Sequence, residues 1–332
     1  MSWRAAVDVG SVAAKILLTD GTERVRLGVD TLLGGARLAA NGETTGETLA
    51  GPGLDRLEGA LGRFRELVDR HQPSSLQAVT TAPGRFAANP EVLSELVDRH
   101  LGVPLTVLDG TTEARLAFAG AASDPALMRA GAGGASGPPP LKVVTIDLGG
   151  ASTELAAGPL GAAAASHVWS APIGGRSITA AYIHSDPPRA DELSAALSII
   201  ELHIDDVRRE APELLTDVDS AVVVGLGAVV TLAAIEVGLV DGDPNTGSGD
   251  GPLHGFVLTR EAAEDVFRTI ATESRADRVH NPGLPPTRVD EIVGAGAVLV
   301  ETMRQLGLAR LVVSQRGVLD GLLAEAGGAD AG

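Results

Sequence analysis

The sequence predicts an α/β protein built of two similar domains. Three observations carry this reading. Short β-rich runs alternate with longer helical patterns, 332 residues exceed one ordinary core of roughly 150 residues, and one strand-turn-strand motif occurs twice. The two copies read Ala6-Val-Asp-Val-Gly-Ser11 and Thr145-Ile-Asp-Leu-Gly-Gly150.

In chain order, Ala5 to Val9 and Lys15 to Thr19 are apolar runs of strand length, followed by helical periodicity over Gly53 to His71. Leu76 to Thr80 is a further strand, Pro90 to Leu101 a helix, and Thr111 to Phe118 a helical run. Arg129 to Pro140 (RAGAGGASGPPP) has almost no side chain to bury and cannot repay the entropy of ordering, so 129–140 is expected to be a flexible linker closing a first domain of 1–128. The rhythm then repeats over a second domain, 141–314. Its strands are Lys142 to Asp147, Thr153 to Ala157 and Ser220 to Val224, and its helices Arg189 to Glu210, Arg260 to Glu273 and Arg288 to Leu306. Asp241 to Pro252 (DGDPNTGSGDGP) reads as a solvated loop within it.

Composition removes several function classes. Hydrophobic residues at 44% and charged residues at 21% are those of a globular chain, not a disordered one. Aromatics at 2% leave little for stacking bases or sugars, and 26 basic against 43 acidic residues, a net charge of -17, would repel a nucleic-acid backbone. Without cysteine there are no disulfides, thiolate zinc sites or Cys nucleophiles. No apolar run reaches the ~18 residues of a membrane span and the first residues lack a signal-peptide core, so the expectation is a cytoplasmic protein bound neither to nucleic acid nor to membrane.

In each copy of the repeat a buried run delivers an Asp to a strand end, and the Gly after it lets the backbone turn so that amides face a ligand. The second copy continues through Gly149, Gly150, Ser152 and Thr153 to Glu154, two carboxylates flanking a glycine turn with two hydroxyls between. Hard oxygen donors of this kind suit Mg²⁺ bridged to phosphate. A tight hairpin whose Asp and Ser satisfy their own backbone is the other reading of a single copy; two copies favour function. Glu113, in the first turn of its helical run, is either a capping carboxylate or a general base for water. Lys15, Arg85 and Arg176 are cations able to clamp phosphate or to serve as surface charge. The seven His show no metal-ligand spacing.

Taken in order, Asp8-Val-Gly-Ser11, Arg37 to Gly46, Thr81 to Asn89, Thr112 to Leu116, Asp147 to Leu155, Ile173 to Thr179, Gly225 to Ala233, Arg288 to Asp290 with Gly294 to Gly296, and Val313 to Gly317 resemble the Ppx/GppA phosphatases, exopolyphosphatases and guanosine pentaphosphate phosphohydrolases. The resemblance spans nearly the whole chain. It implies two actin-like, ribonuclease H-like domains facing across a cleft, with a last helix at about 315–326 packing back on the first. It implies that Glu113 positions or deprotonates the attacking water, and that Asp8, Asp147 and Glu154 hold Mg²⁺. Gly10, Ser11, Lys15, Arg85, Asn89, Gly149, Gly150, Ser152, Thr153 and Arg176 would then bind phosphate, while Arg288 matches a further family position.

The implied activity is exopolyphosphatase, releasing orthophosphate from the end of inorganic polyphosphate, with guanosine pentaphosphate hydrolysis as the alternative and a homodimer as the family's frequent state. The chain departs from the family pattern at Val12 and Ala13, where Asn and Ser are usual, at Ala151 for a glycine, at Ala228 and Val230 for hydroxyl-bearing residues, and at Gln315 for Asp. These losses of phosphate-facing groups motivate a further alternative, a non-catalytic sensor of polyphosphate or a guanosine alarmone. An actin-like sugar kinase is disfavoured by the eroded Gly225 to Ala233 segment.

Overall fold

The computed structural model describes residues 2–39, 43–122, 124, 127, 142–239, 247–248 and 250–329; the segment 129–140 read as a linker lies outside the described residues. The first half contains β1 (Arg4–Val9), β2 (Ala13–Thr19), β3 (Arg24–Asp30), β4 (Ala36–Leu38), β5 (Thr44–Gly46), α1 (Pro52–His71), β6 (Ser75–Thr80), α2 (Ala82–Phe86), α3 (Glu91–Leu101), β7 (Leu105–Val107) and α4 (Gly110–Ala122). The second contains β8 (Lys142–Leu148), β9 (Thr153–Pro159), β10 (His167–Ala171), α5 (Gly175–Tyr182), α6 (Ala190–Glu210), β11 (Val222–Gly227), α7 (Ala228–Glu236), β12 (Gly247–Ser248), β13 (Val257–Thr259), α8 (Arg260–Thr272), α9 (Arg275–Arg278), α10 (Ile292–Gln305), β14 (Arg310–Val313) and α11 (Val318–Ala329).

The repeat in sequence is a repeat in topology. Five strands of each six-stranded sheet correspond, β3-β2-β1-β6-β7 in one and β10-β9-β8-β11-β14 in the other, each an antiparallel three-strand meander followed by two parallel strands; β12 edges the first beside β3 and β13 the second, antiparallel to β14. The two Asp-Gly turns close the same way: Gly10 N–H donates to Ala13 O at 3.1 Å and Gly149 N–H to Ser152 O at 2.9 Å. Crossovers through helices supply the parallel strands, as α/β units require.

Three large hydrophobic clusters follow from this layout, besides a small one of Ala36, Ala82 and Ala151. One lies between the first sheet and α1 and α3, centred on Leu57, Leu61 and Phe64; a second lies between the other sheet and α6, α7, α8 and α10, including Ile200, Ile204 and Val298. The third is shared. It places Leu116 and Phe118 of α4 and Leu319, Leu322 and Leu323 of α11 between the two sheets, against Ala6 and Leu17 on one side and Val143, Val224 and Val312 on the other. Fully burying a Leu or Phe contributes about 1.5–3 kcal/mol, so this helix pair ties the halves together. Glycine permits its closeness: a Cβ on Gly321 would stand 2.2 Å from Leu116 O, and one on Gly120 2.1 Å from Gly317 O.

Three sequence expectations shift. The strand expected at Ser220 to Val224 runs Val222–Gly227, because Val218–Ser220 forms a 3-10 turn and the ladder with β8 pairs Val222 with Val143 through Gly227 with Leu148. The helix expected from Arg288 begins at Ile292; a 3-10 turn at Pro286–Arg288 comes first, as two successive prolines dictate. The segment read as a solvated loop contains β12, which pairs Gly247 with Arg26 and Ser248 with Val25, so the second half extends the first sheet.

Candidate active site

Strand order decides which side chains meet. The central strands β1 and β8 carry Asp8 and Asp147 to the cleft, and their hairpin mates β2 and β9 carry Lys15, paired with Asp8, and Glu154, paired with Asp147. The N-terminal turn of α4 brings Glu113 to the same place. A cavity of about 110 Å³ is lined by Asp8, Gly10, Ser11, Lys15, Glu113, Asp147, Gly149, Gly150 and Ser152, together with Thr81, Gly227, Arg288 and Glu291. The two hairpin turns touch at its rim: Gly150 packs so closely on Val12 that a Cβ there would lie 2.3 Å from Val12 Cγ2. Loop two is fixed from behind by α5, whose Gly175 and Ser177 amides donate to Gly149 O and Gly150 O at 3.1 and 3.0 Å.

The carboxyls are held away from water and near one another. Burial raises Glu113 well above the usual value, the charge of Glu154 adds to this, and Arg85 opposes it. Arg85 Nη1 donates to Glu113 Oε2 at 2.7 Å and to Leu108 O at 2.8 Å, so the guanidinium fixes Glu113 against the end of β7. Glu154 is pushed up to about 7 by burial and then by Asp147, against hydrogen bonds from Ser152 and Ser170, the latter at 2.9 Å. Burial raises Asp147, with Lys15 opposing. Asp8 is raised to about 6 by burial, Lys15 pulling down and Asp147 pushing up, and its Oδ1 is sealed from solvent with no hydrogen-bond partner.

The orphaned Oδ1 of Asp8 beside two further carboxyls fits a divalent cation, which would supply the positive partner that this buried oxygen lacks. Among the described residues a tighter set of donor atoms is Asp124, Asp250 and His254, within 4.8 Å of one another. These are already engaged. Arg316 bonds Asp250 in bidentate fashion at 2.8 and 2.7 Å and pairs with Asp124 at 3.0 Å. His254 Nδ1 accepts from Gln315 N–H at 3.2 Å, which leaves its proton on Nε2, donated to Asp124 at 2.8 Å. A protonated Nε2 cannot ligate a metal, so this cluster is an ion-pair junction.

Other expected phosphate ligands stand elsewhere. Asn89 is turned to the backbone, its Oδ1 accepting from Leu49 N–H at 2.7 Å and its Nδ2 donating to Leu49 O at 3.0 Å. Thr153 is fully buried and donates to Ile173 O. Arg176 lies outside the cavity lining, over Gly34 and 3.5 Å from Glu47. Arg85 reaches the site through Glu113. Two lining residues carried little or no signal in the sequence. Arg288 crosses between halves to Asp30 at 2.6 Å and, within its own half, donates to Thr231 at 2.8 Å, and the cavity-lining Glu291 beside it is raised to about 7 by burial, with Arg288 opposing.

The profile of the family described as Ppx/GppA phosphatase matches residues 33–327. The chain belongs to the Ppx/GppA phosphatase family. That membership makes it a hydrolase of phosphoric anhydrides. Exopolyphosphatase 2 of Mycobacterium tuberculosis is 29% identical over 96% of this chain and 96% of its own length. Among solved structures, an exopolyphosphatase-like protein superposes with a TM-score of 0.80 at 25% identity over 98% of this chain and 99% of its own. A Ppx/GppA protein of Aquifex aeolicus, at TM-score 0.69 and 23% identity over 99% and 98%, shares the fold. Among the described residues no helix is long and apolar enough to cross a membrane.

Proposed function

We propose that the protein removes the terminal phosphate of linear inorganic polyphosphate as orthophosphate, with Mg²⁺. The observation that carries this reading is the convergence of Glu113, held by Arg85, with Asp8 and Asp147 on one cavity wall between two glycine turns that face each other, with Glu154 behind that wall on the strand paired with Asp147. The relatedness to an exopolyphosphatase over 96% of the chain supports polyphosphate as substrate.

Asp8, Asp147 and Glu154 would hold Mg²⁺, which when bound neutralises charge on the phosphoryl oxygens. The turns at Gly10–Ser11 and Gly149–Ser152, with Lys15, then orient the terminal phosphate. Glu113 accepts a proton from water as the water oxygen bonds to the terminal phosphorus. The bond from that phosphorus to the bridging oxygen breaks, and its electron pair stays on the end of the shortened chain. Glu113 must be ionised to do this. Arg85 supports that by opposing burial and the Glu154 charge.

The test is orthophosphate release from long-chain polyphosphate with Mg²⁺, run beside guanosine pentaphosphate and the Glu113→Gln variant. The variant keeps an oxygen for Arg85, so its fold should survive while kcat falls by about 10²–10⁴. Normal turnover by the variant would reject the role of Glu113. Release from guanosine pentaphosphate alone would reject the substrate.

A further inference from the structure

A second cavity, of about 80 Å³, adjoins the first and shares with it Asp8, Lys15, Asp147, Gly227 and Val318; Arg26, Val230, Arg316 and Asp320 line only the second. Its position relative to the chemistry follows from strand order. Glu113 and Glu154 lie to the β6 and β9 side of the central strands, whereas Arg26 on β3, Gly227 on β11 and the turn after β14 lie to the other side. Phosphoryl transfer places attacking and leaving oxygens in line on opposite sides of phosphorus. Water held by Glu113 therefore expels the leaving oxygen toward this second cavity.

We propose that the cavity bounded by Lys15, Arg26 and Arg316 receives the phosphate chain that departs when the terminal phosphate is cleaved. The proposal rests on the polyphosphatase reading above and gives it a leaving-chain subsite. Six charged residues line the cavity, three cations and three Asp. Two of those acids, Asp8 and Asp147, belong to the shared wall where the cation is assigned; the third, Asp320, pairs with Arg26, while Arg316 is held from behind the wall by Asp250 and Asp124.

The guanidiniums crowd one another. Arg24 and Arg26 both pair with Asp320, and Arg24 also approaches Asp250, the partner of Arg316. Burial and the neighbouring charges of Arg24 and Arg316 pull the Arg26 guanidinium below its ordinary value, while Asp320 and Asp250 pull it up. A polyanion entering here would meet cations prepositioned by their acid partners, and the new charge on the departing oxygen would form beside them.

The experiment uses the full chain in the Glu113→Gln background, where turnover is slowed by about 10²–10⁴, and measures tripolyphosphate and orthophosphate binding by calorimetry with Mg²⁺. Adding Arg316→Met should weaken tripolyphosphate by about tenfold or more and leave orthophosphate within about twofold, with Arg316→Lys intermediate. Because Arg316 also holds an ion-pair junction, Val230→Met provides a second probe. It narrows the cavity without touching a charge and should show the same selective loss. Equal affinity for tripolyphosphate in both variants, or parallel loss of both ligands, would overturn the subsite. These outcomes are read from binding, so they stand apart from whether the native chain hydrolyses polyphosphate.

Discussion

Replacing Glu154 by Gln measures how strongly the fold strains its carboxyls. Glu154 is 2% exposed, and burial followed by the Asp147 charge lifts it from 4.5 to about 7. A carboxyl raised in the folded chain contributes stability that is fully present below its unfolded value and lost as pH rises through its folded value. The window here is therefore about 4.5 to 7. An interval of roughly 2.5 pH units at about 1.4 kcal/mol each amounts to about 3 kcal/mol, an order-of-magnitude figure. Glutamine keeps the shape and an acceptor for Ser170 but never ionises. In urea unfolding with a chelator present, the variant should gain most of that ~3 kcal/mol over the native chain between pH 5 and 8. Added Mg²⁺ at pH 8 should narrow the gap by stabilising the native chain more than the variant. Parallel stability curves from pH 5 to 8 would refute the reasoning, because they would mean that Glu154 ionises in the fold as readily as in water.

Arg85 supplies both a hydrogen bond and a charge that lower the Glu113 value, so Arg85→Met should move the acid limb of the kcat/KM profile to higher pH; an unmoved limb would sever the link between the two. Gly321→Ala should cost about 1–3 kcal/mol or more in chemical denaturation, because its Cβ would press to 2.2 Å from Leu116 O and force α11 from α4; unchanged stability would mean that the helix pair slips freely.

Much of this architecture was legible because it is local. The Asp-Gly repeat foretold the two hairpins, and apolar periodicity foretold α1, α3 and α6. Two kinds of feature were hidden. β12 is two residues long within a turn-forming stretch, so only its partner β3 makes it a strand. α7 is apolar but for Thr231 and its last residue, Glu236, and a run without periodicity does not separate helix from strand. At the site, acids could be singled out because a carboxylate at a strand end beside glycine is conspicuous. What a side chain bonds could not be: Asn89 and Thr153 face scaffold carbonyls and amides, and Arg85 faces Glu113, through approaches that only tertiary packing defines.

The placement of α11 and β12 bears on how the protein comes into being. Asp8, Lys15 and Arg26 leave the ribosome early, yet the wall opposite Arg26 is made by residues 314–320, and the first sheet is extended by residues 247–248. A nascent chain halted before about residue 310 would hold both phosphate turns without the helix that wedges between the sheets. The cleft thus stays half-built until the last helix is made, and the wall that carries Arg316 and Asp320 is completed only when α11 docks.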